Sequence, residues 1–257
     1  MLCIRQNSNL HYFCGMNSEK IVLILGANSD VAKECVKLYL QKGYRVMMAS
    51  RNRAAMEDFI QRNQLDSKKI DLLHFDAVDF GSHQNFYNEL HSKPHIVLYA
   101  AGFLVQNKEA RDSFPDTLQM MHTNYSGAVS ILNIISEDHS NKNLERIIGL
   151  SSLSGVRGRK SNYIYGSTKS AFTQYLAGLR QHLAQKNITV NVFVLGYIRS
   201  KINDGLQLNR SLMMEPEYVA KKIVNAGSNF VHVPNLKWKL IYQLLKNMPE
   251  SLVAKLP

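Results

Sequence analysis

The sequence predicts an α/β fold, a single-domain, doubly wound parallel sheet of about seven strands with helices on both faces. Three observations predict it. Short apolar runs alternate with stretches of helical periodicity along most of the 257 residues, the pattern of strands buried on both faces by the helices that connect them. A glycine turn follows the first apolar run and opens the first helical stretch. A chain of this length suits one large domain better than two, and its 45% hydrophobic and 20% charged residues are those of a globular protein.

The elements follow in order. Ile21–Leu25 is a short apolar run closed by Gly26, hence a buried strand, and Val31–Leu40 carries apolar residues at helical spacing before Gly43. Tyr44–Ala49 is a second strand and Arg53–Gln64 a second helix. Ile70–Phe75 and His95–Tyr99 read as the third and fourth strands, with a helix near Gly81–Leu90 between them. Ser113–Ser136 is a long helical stretch, Arg146–Ser151 a fifth strand, Ser161–Lys186 another long helix and Val190–Leu195 a sixth strand. Pro216–Ala226 is helical and Phe230–Val233 a last short strand. The expected organisation is a flexible tail at 1–19, the main domain at 20–235, and a basic amphipathic segment of that domain at 236–257.

Composition narrows the function classes. No run of about 18 apolar residues occurs and residues 1–19 lack the apolar stretch of a signal peptide, so a cytoplasmic protein is expected. Cys3, Cys14 and Cys35 have neither metal-ligand nor CxxC spacing, which suits a reducing compartment, and Cys35 reads as core. The net charge of +11 comes without a nucleic-acid motif, so no nucleic-acid partner is expected. A solvated basic surface, a phosphorylated ligand and an anionic membrane surface remain open.

Gly26-Ala27-Asn28-Ser29-Asp30-Val31-Ala32 lies where a strand passes into a helix, the place at which backbone N–H groups hold a pyrophosphate. Gly26 supplies the tight turn, and Asn28 and Ser29 are able to cap the helix and donate to phosphate. Asp30 is the awkward member, since a carboxylate beside pyrophosphate is repulsive unless it points away. The second strand ends in Ser50-Arg51 with no acidic residue to accept a ribose 2′-hydroxyl, and Arg51 offers a planar cation to a 2′-phosphate, so NADP(H) is favoured over NAD(H).

Tyr165 and Lys169 stand four apart on a helix and share a face. A phenol with an ordinary pKa near 10 is a poor acid at neutral pH, and a neighbouring ammonium is expected to bring it down. Ser152 precedes Tyr165 at the end of a strand, where its hydroxyl is able to bond a substrate oxygen beside the phenol.

Together these segments resemble the short-chain dehydrogenase/reductase family. Tyr99-Ala100-Ala101-Gly102 is similar to its NNAG segment, Thr123-Asn124-Tyr125 to the helix bearing its asparagine, and Leu195-Gly196-Tyr197-Ile198-Arg199-Ser200 to its PGxIxT loop. The turn departs from TGxxxGxG at Leu25, Asp30 and Ala32. The resemblance implies a Rossmann-like fold and a ketone reductase in which Tyr165 protonates the substrate oxygen and Ser152 orients it. Lys169 would hold the ribose hydroxyls, and Asn124 would anchor a relay water. Asp76 and Ala77 would contact adenine, and Ala100, Gly102, Ile198 and Ser200 would border the cofactor together with Val31. No metal is implied. A homodimer or homotetramer built on the helices of 113–136 and 161–186 is implied as well.

The segments 26–32 and 158–167, the Val231-His232-Val233-Pro234 tail and Trp238 resemble one branch, the reductases of a 2-keto-pentose attached to polyprenyl phosphate in cell-envelope synthesis. Another carbonyl substrate, such as a ketoacyl thioester, stays open, as does a non-catalytic NADP-binding regulator. Residues 236–256 interleave Leu236, Trp238, Leu240, Ile241 and Leu244 with Lys237, Lys239, Lys246 and Lys255, which suits peripheral membrane contact or packing on the core or another subunit. Arg157, Arg159 and Lys160 suit either a substrate phosphate or a solvated loop.

Overall fold

The computed structural model describes residues 19–203 and 209–255. The expected tail, Glu19 apart, therefore lies outside the described residues, together with Cys3 and Cys14. Seven parallel strands form one sheet in the order β3-β2-β1-β4-β5-β6-β7. They are β1 (Ile21–Leu25), β2 (Arg45–Ala49), β3 (Ile70–Leu73), β4 (Ile96–Tyr99), β5 (Arg146–Ser152), β6 (Thr189–Leu195) and β7 (Val231–His232). Every residue of β1 and β4 is buried, as all-apolar strands covered on both faces must be.

The helices are α1 (Asp30–Gln41), α2 (Arg53–Arg62), α3 (His83–Asn88), α4 (Asn107–Asp112), α5 (Phe114–Met121), α6 (Gly127–Glu137), α7 (Tyr163–Leu183), α8 (Pro216–Val224), α9 (Leu236–Asn247) and α10 (Glu250–Val253). Helix α1 packs on α8, and α6 packs on both α3 and α7. Strand order reverses between β1, which pairs with β2, and β4, on its other side. That switch point leaves a crevice at the carboxyl ends of the strands, the general ligand site of such sheets.

The long helix expected over 113–136 is interrupted. A π-turn at His122–Ser126 separates α5 from α6, and the polar helix α4 precedes them. An i→i+5 turn keeps the apolar residues at near-helical spacing, so the periodicity runs through it unbroken. Asn124 sits in the π-turn, fully buried.

Candidate active site

A cleft of about 1250 Å³ runs along the switch point, past the turn after β1, the ends of β4 and β5, the loop after β6 and one face of α9. It exceeds the ~300–1,000 Å³ of common small-molecule sites, leaving room for a dinucleotide and a second molecule. Every cofactor-contact residue expected from the sequence lines this cleft, as do Ser152, Tyr165 and Lys169. Asn124 does not.

The turn after β1 depends on its glycine. Gly26 has φ +86°, and a Cβ there would fall 2.3 Å from the backbone nitrogen of Ala101, so only glycine seats the turn against the loop after β4. The expected helix caps do not form. Ser29 occupies the N-cap position without a side-chain cap bond, while Asn28 Nδ2 donates to Ser50 Oγ (2.9 Å) and to the Asn52 carbonyl (2.8 Å). Asn28 is thus spent tying β1 to β2, and the first-turn N–H groups of α1 stay open to an anion. Among the described residues Asn28 Oδ1 is buried without a partner, an acceptor suited to a ligand hydroxyl. The Asp30 carboxylate accepts from the Lys201 backbone N–H at 2.7 Å, so it is engaged by the loop after β6. Arg51 stands exposed on the rim. At the end of β3, Asp76 Oδ1 accepts from Val78 N, and Ala77 is buried. An open helix N-terminus, a glycine cradle and an unfilled acceptor form a donor and acceptor set that fits a pyrophosphate and a ribose.

The second half of the cleft is built by β5 and α7. A Cβ on Gly166 would meet the Ser154 carbonyl at 2.5 Å, and one on Gly155 the Ser170 backbone nitrogen at 2.7 Å. These two glycines let the loop after β5 lie flush on α7, which carries Tyr165 and Lys169 toward Ser152. Ser152 Oγ accepts from Ser154 N at 3.1 Å, leaving its O–H to donate. Lys169 is 5% exposed; its Nζ donates to the Leu150 carbonyl at 3.0 Å and lies 5.9 Å from the Tyr165 ring centroid.

The titration of the pair departs from expectation. Burial raises the Tyr165 phenol to about 12, opposed only by the Ser152 hydroxyl. The same burial lowers the Lys169 ammonium to about 8. Desolvation dominates both shifts, and the ammonium is directed at the Leu150 carbonyl. The phenol is held in its acid form.

Asn124 is a clamp. Its Oδ1 accepts from Phe103 N (2.9 Å), and its Nδ2 donates to the Phe103 carbonyl (2.9 Å) and to Thr168 Oγ1 (3.1 Å). It fixes the loop after β4 to α7 one residue before Lys169. Gly102 lies beside both groups: a Cβ there would be 3.6 Å from Asn124 Oδ1 and 3.9 Å from Lys169 Nζ.

The far wall was not anticipated. Trp238, Ile241 and Leu245 of α9 face the cleft, and the Trp238 indole packs directly on Gly196 while its Nε1 donates to the Leu212 carbonyl at 2.9 Å. Their i, i+3, i+7 spacing was the available signal. Arg157, expected at a phosphate or in solvent, instead donates to the Leu245 and Lys246 carbonyls at 3.1 and 2.8 Å and holds the end of α9 in place. Leu236, Leu240 and Leu244 make a second stripe of α9, 71%, 64% and 61% exposed.

An open glycine turn at the switch point of a parallel sheet, continuous with a tyrosine–lysine–serine group, fits an oxidoreductase that uses a nicotinamide dinucleotide. Residues 20–211 match the short chain dehydrogenase family, and the chain belongs to it; it is an NAD(P)-dependent oxidoreductase. It is 25% identical over 244 residues to an uncharacterized oxidoreductase of Mycobacterium tuberculosis, spanning 92% of this chain and 96% of that one. A short chain dehydrogenase from Burkholderia cenocepacia, solved in complex with NADP, superposes with a TM-score of 0.79 at 16% identity, over 93% of this chain and 97% of that one. An actinorhodin polyketide ketoreductase variant solved with NADPH gives 0.74 at 16% identity, over 89% and 98%. Among the described residues no helix is long and apolar enough to cross a membrane.

Proposed function

We propose that the protein reduces a ketone to a secondary alcohol with NADPH, and that the ketone is a keto-sugar carried on a polyprenyl phosphate. One observation carries the reductase reading: Ser152, Tyr165 and Lys169 meet in a single cleft with the phosphate-binding turn. NADPH, when bound, supplies the hydride. The backbone of 28–31 and Asn28 hold its phosphates and ribose, and Asp76, Ala77, Ala100, Gly102, Ile198 and Ser200 border it. Tyr165 donates its proton to the oxygen of the carbonyl being reduced, and Ser152 holds that oxygen with its O–H. Lys169 bonds the ribose hydroxyls and, when charged, makes the phenol a stronger acid. Asn124 keeps Lys169 in place. The preference for the phosphorylated cofactor rests on Arg51 and on the lack of an acidic residue at the end of β2.

The finer substrate assignment is supported by α9, whose inner face borders the cleft while its leucine stripe, flanked by Lys237, Lys239 and Lys246, faces outward. Such a helix lies on an anionic lipid surface and leads a lipid-linked substrate to the site. Exposed Phe114, Leu118 and Met121, at i, i+4 and i+7 around α5, support a homo-oligomer joined through this region.

The test is NADPH oxidation against a lipid-linked 2-keto-pentose and a ketoacyl thioester side by side. The first is expected to turn over faster. Tyr165→Phe should lower turnover by about 10²–10⁴-fold, the usual loss of a general acid, and a variant with wild-type rates ends the assignment. Faster turnover of the thioester overturns the sugar reading alone.

A further inference from the structure

The electrostatics of the cleft are uneven. Among the described residues, the carboxylates lining it are Asp30 and Asp76, both in the cofactor half, and Asp30 is already bonded to Lys201 N. The half bounded by the loop after β5, α4 and α9 is lined by Lys108, Arg111, Arg159 and Lys160 without a carboxylate. None of these four cations takes part in an ion pair among the described residues.

Arg159 is the informative member. Among the described residues its guanidinium makes one hydrogen bond, a long one to Ser154 Oγ, 3.5 Å away. That oxygen is also held by Asn162 Nδ2 at 2.8 Å. The Arg159 Nε is buried and has no hydrogen-bond partner among the described residues. A charged donor removed from water is destabilising unless an acceptor meets it, and guanidinium is shaped for the two oxygens of a phosphate or carboxylate. Arg157, two residues earlier, has no such vacancy because it caps α9.

We propose that the loop 158–162 forms an anion subsite centred on Arg159, which takes a phosphate or carboxylate group borne by the substrate. Lys160, Lys108 and Arg111 supply the surrounding positive field. The identity of the molecule that bears the anion rests on the ketone-reductase reading; the subsite itself does not.

Trp238 is the only tryptophan of the chain and lines the same half, so its fluorescence reports occupancy. With NADP+ saturating, full-length protein is titrated with phenyl phosphate, benzoate and, as a neutral control, benzyl alcohol. At least one anion should bind more tightly than the alcohol. Arg159→Ala should weaken that anion by about 10–100-fold, the usual effect of losing a charged hydrogen bond, and Arg159→Lys should recover part of it. Preference for phenyl phosphate assigns a phosphate, and preference for benzoate a carboxylate. Equal anion binding by wild type and Arg159→Ala, or binding of the alcohol as tight as either anion, overturns the subsite. A second readout separates the two readings. If ketones are reduced, Arg159→Ala should lower the ratio of kcat/KM for a phosphorylated or carboxylated ketone over a neutral one by the same factor. An unchanged ratio sinks the subsite and leaves the reductase standing. Anion binding lost in Arg159→Ala, with no ketone reduced by any form, sinks the reductase and leaves the subsite.

Discussion

Replacing Lys169 with methionine should make the protein more stable at neutral pH while removing its activity. The lysine is 5% exposed, and burial takes its pKa from 10.5 to about 8. At about 1.4 kcal/mol per pKa unit, keeping it protonated in the folded state costs about 3 kcal/mol at pH 7. The sign follows from proton counting. Between the two pKa values the unfolded chain binds the extra proton, so the penalty is fully present below pH 8 and is relieved as pH rises through 8 toward 10.5. Methionine keeps most of the stem's volume but leaves the Leu150 carbonyl without its Nζ donor, a loss of about 1 kcal/mol. The net gain is about 2 kcal/mol at pH 7, or about 4–8 °C in Tm for a chain of this size. By about pH 9.5 the penalty on the wild type has fallen to about 1 kcal/mol and the two proteins should melt together. Thermal melts of both proteins at intervals from pH 6.5 to 9.5 check this. Curves that stay parallel across the range, or a variant less stable at pH 7, would refute the assignment of a desolvated ammonium.

Two further outcomes follow from the same site. Arg51→Ala should raise the KM for NADPH by about tenfold, a charged hydrogen bond discounted for exposure, and leave that for NADH nearly unchanged; steady-state kinetics with both cofactors decide it. The kcat/KM for ketone reduction should fall as pH rises through about 8, where Lys169 loses its proton, and Lys169→Arg should move that decline to higher pH; a flat profile to pH 10 would separate the lysine from the phenol's acidity.

Much of the sheet was legible because parallel strands buried on both faces are written as continuous apolar runs, and Ile21–Leu25 is both such a run and a fully buried strand. Helix α4, Asn-Lys-Glu-Ala-Arg-Asp, carries no apolar stripe and gave no period to read. The π-turn at 122–126 was hidden by its own apolar neighbours, although it places Asn124 where three hydrogen bonds can bind α7 to the loop after β4. Gly155 and Gly166 illustrate another limit. Their importance lies in the approach of two backbones, a tertiary fact absent from any local pattern. Helix α9 read as one amphipathic segment, and only its seating on Gly196 divides it into an inner wall and an outer stripe. The lowered pKa expected of the Tyr165 phenol fails for the same reason: four-residue spacing sets a shared face, but burial sets the pKa.

That last point bears on the direction of the chemistry. A site designed around a depressed phenol would hold a phenolate ready to accept a proton, which suits oxidation of an alcohol. Here burial holds Tyr165 at about 12, so at any ordinary pH the group waits as a phenol with a proton to give. A reduced carbonyl oxygen needs that proton as its negative charge develops. Lys169, poised at about 8, is charged in most molecules at neutral pH. It can strengthen the acid at that moment without making it a base beforehand. The two shifts, opposite in sign and common in origin, therefore leave the free protein in the protonation state from which ketone reduction would start. They do so through desolvation, the feature of the site that spacing alone could not reveal.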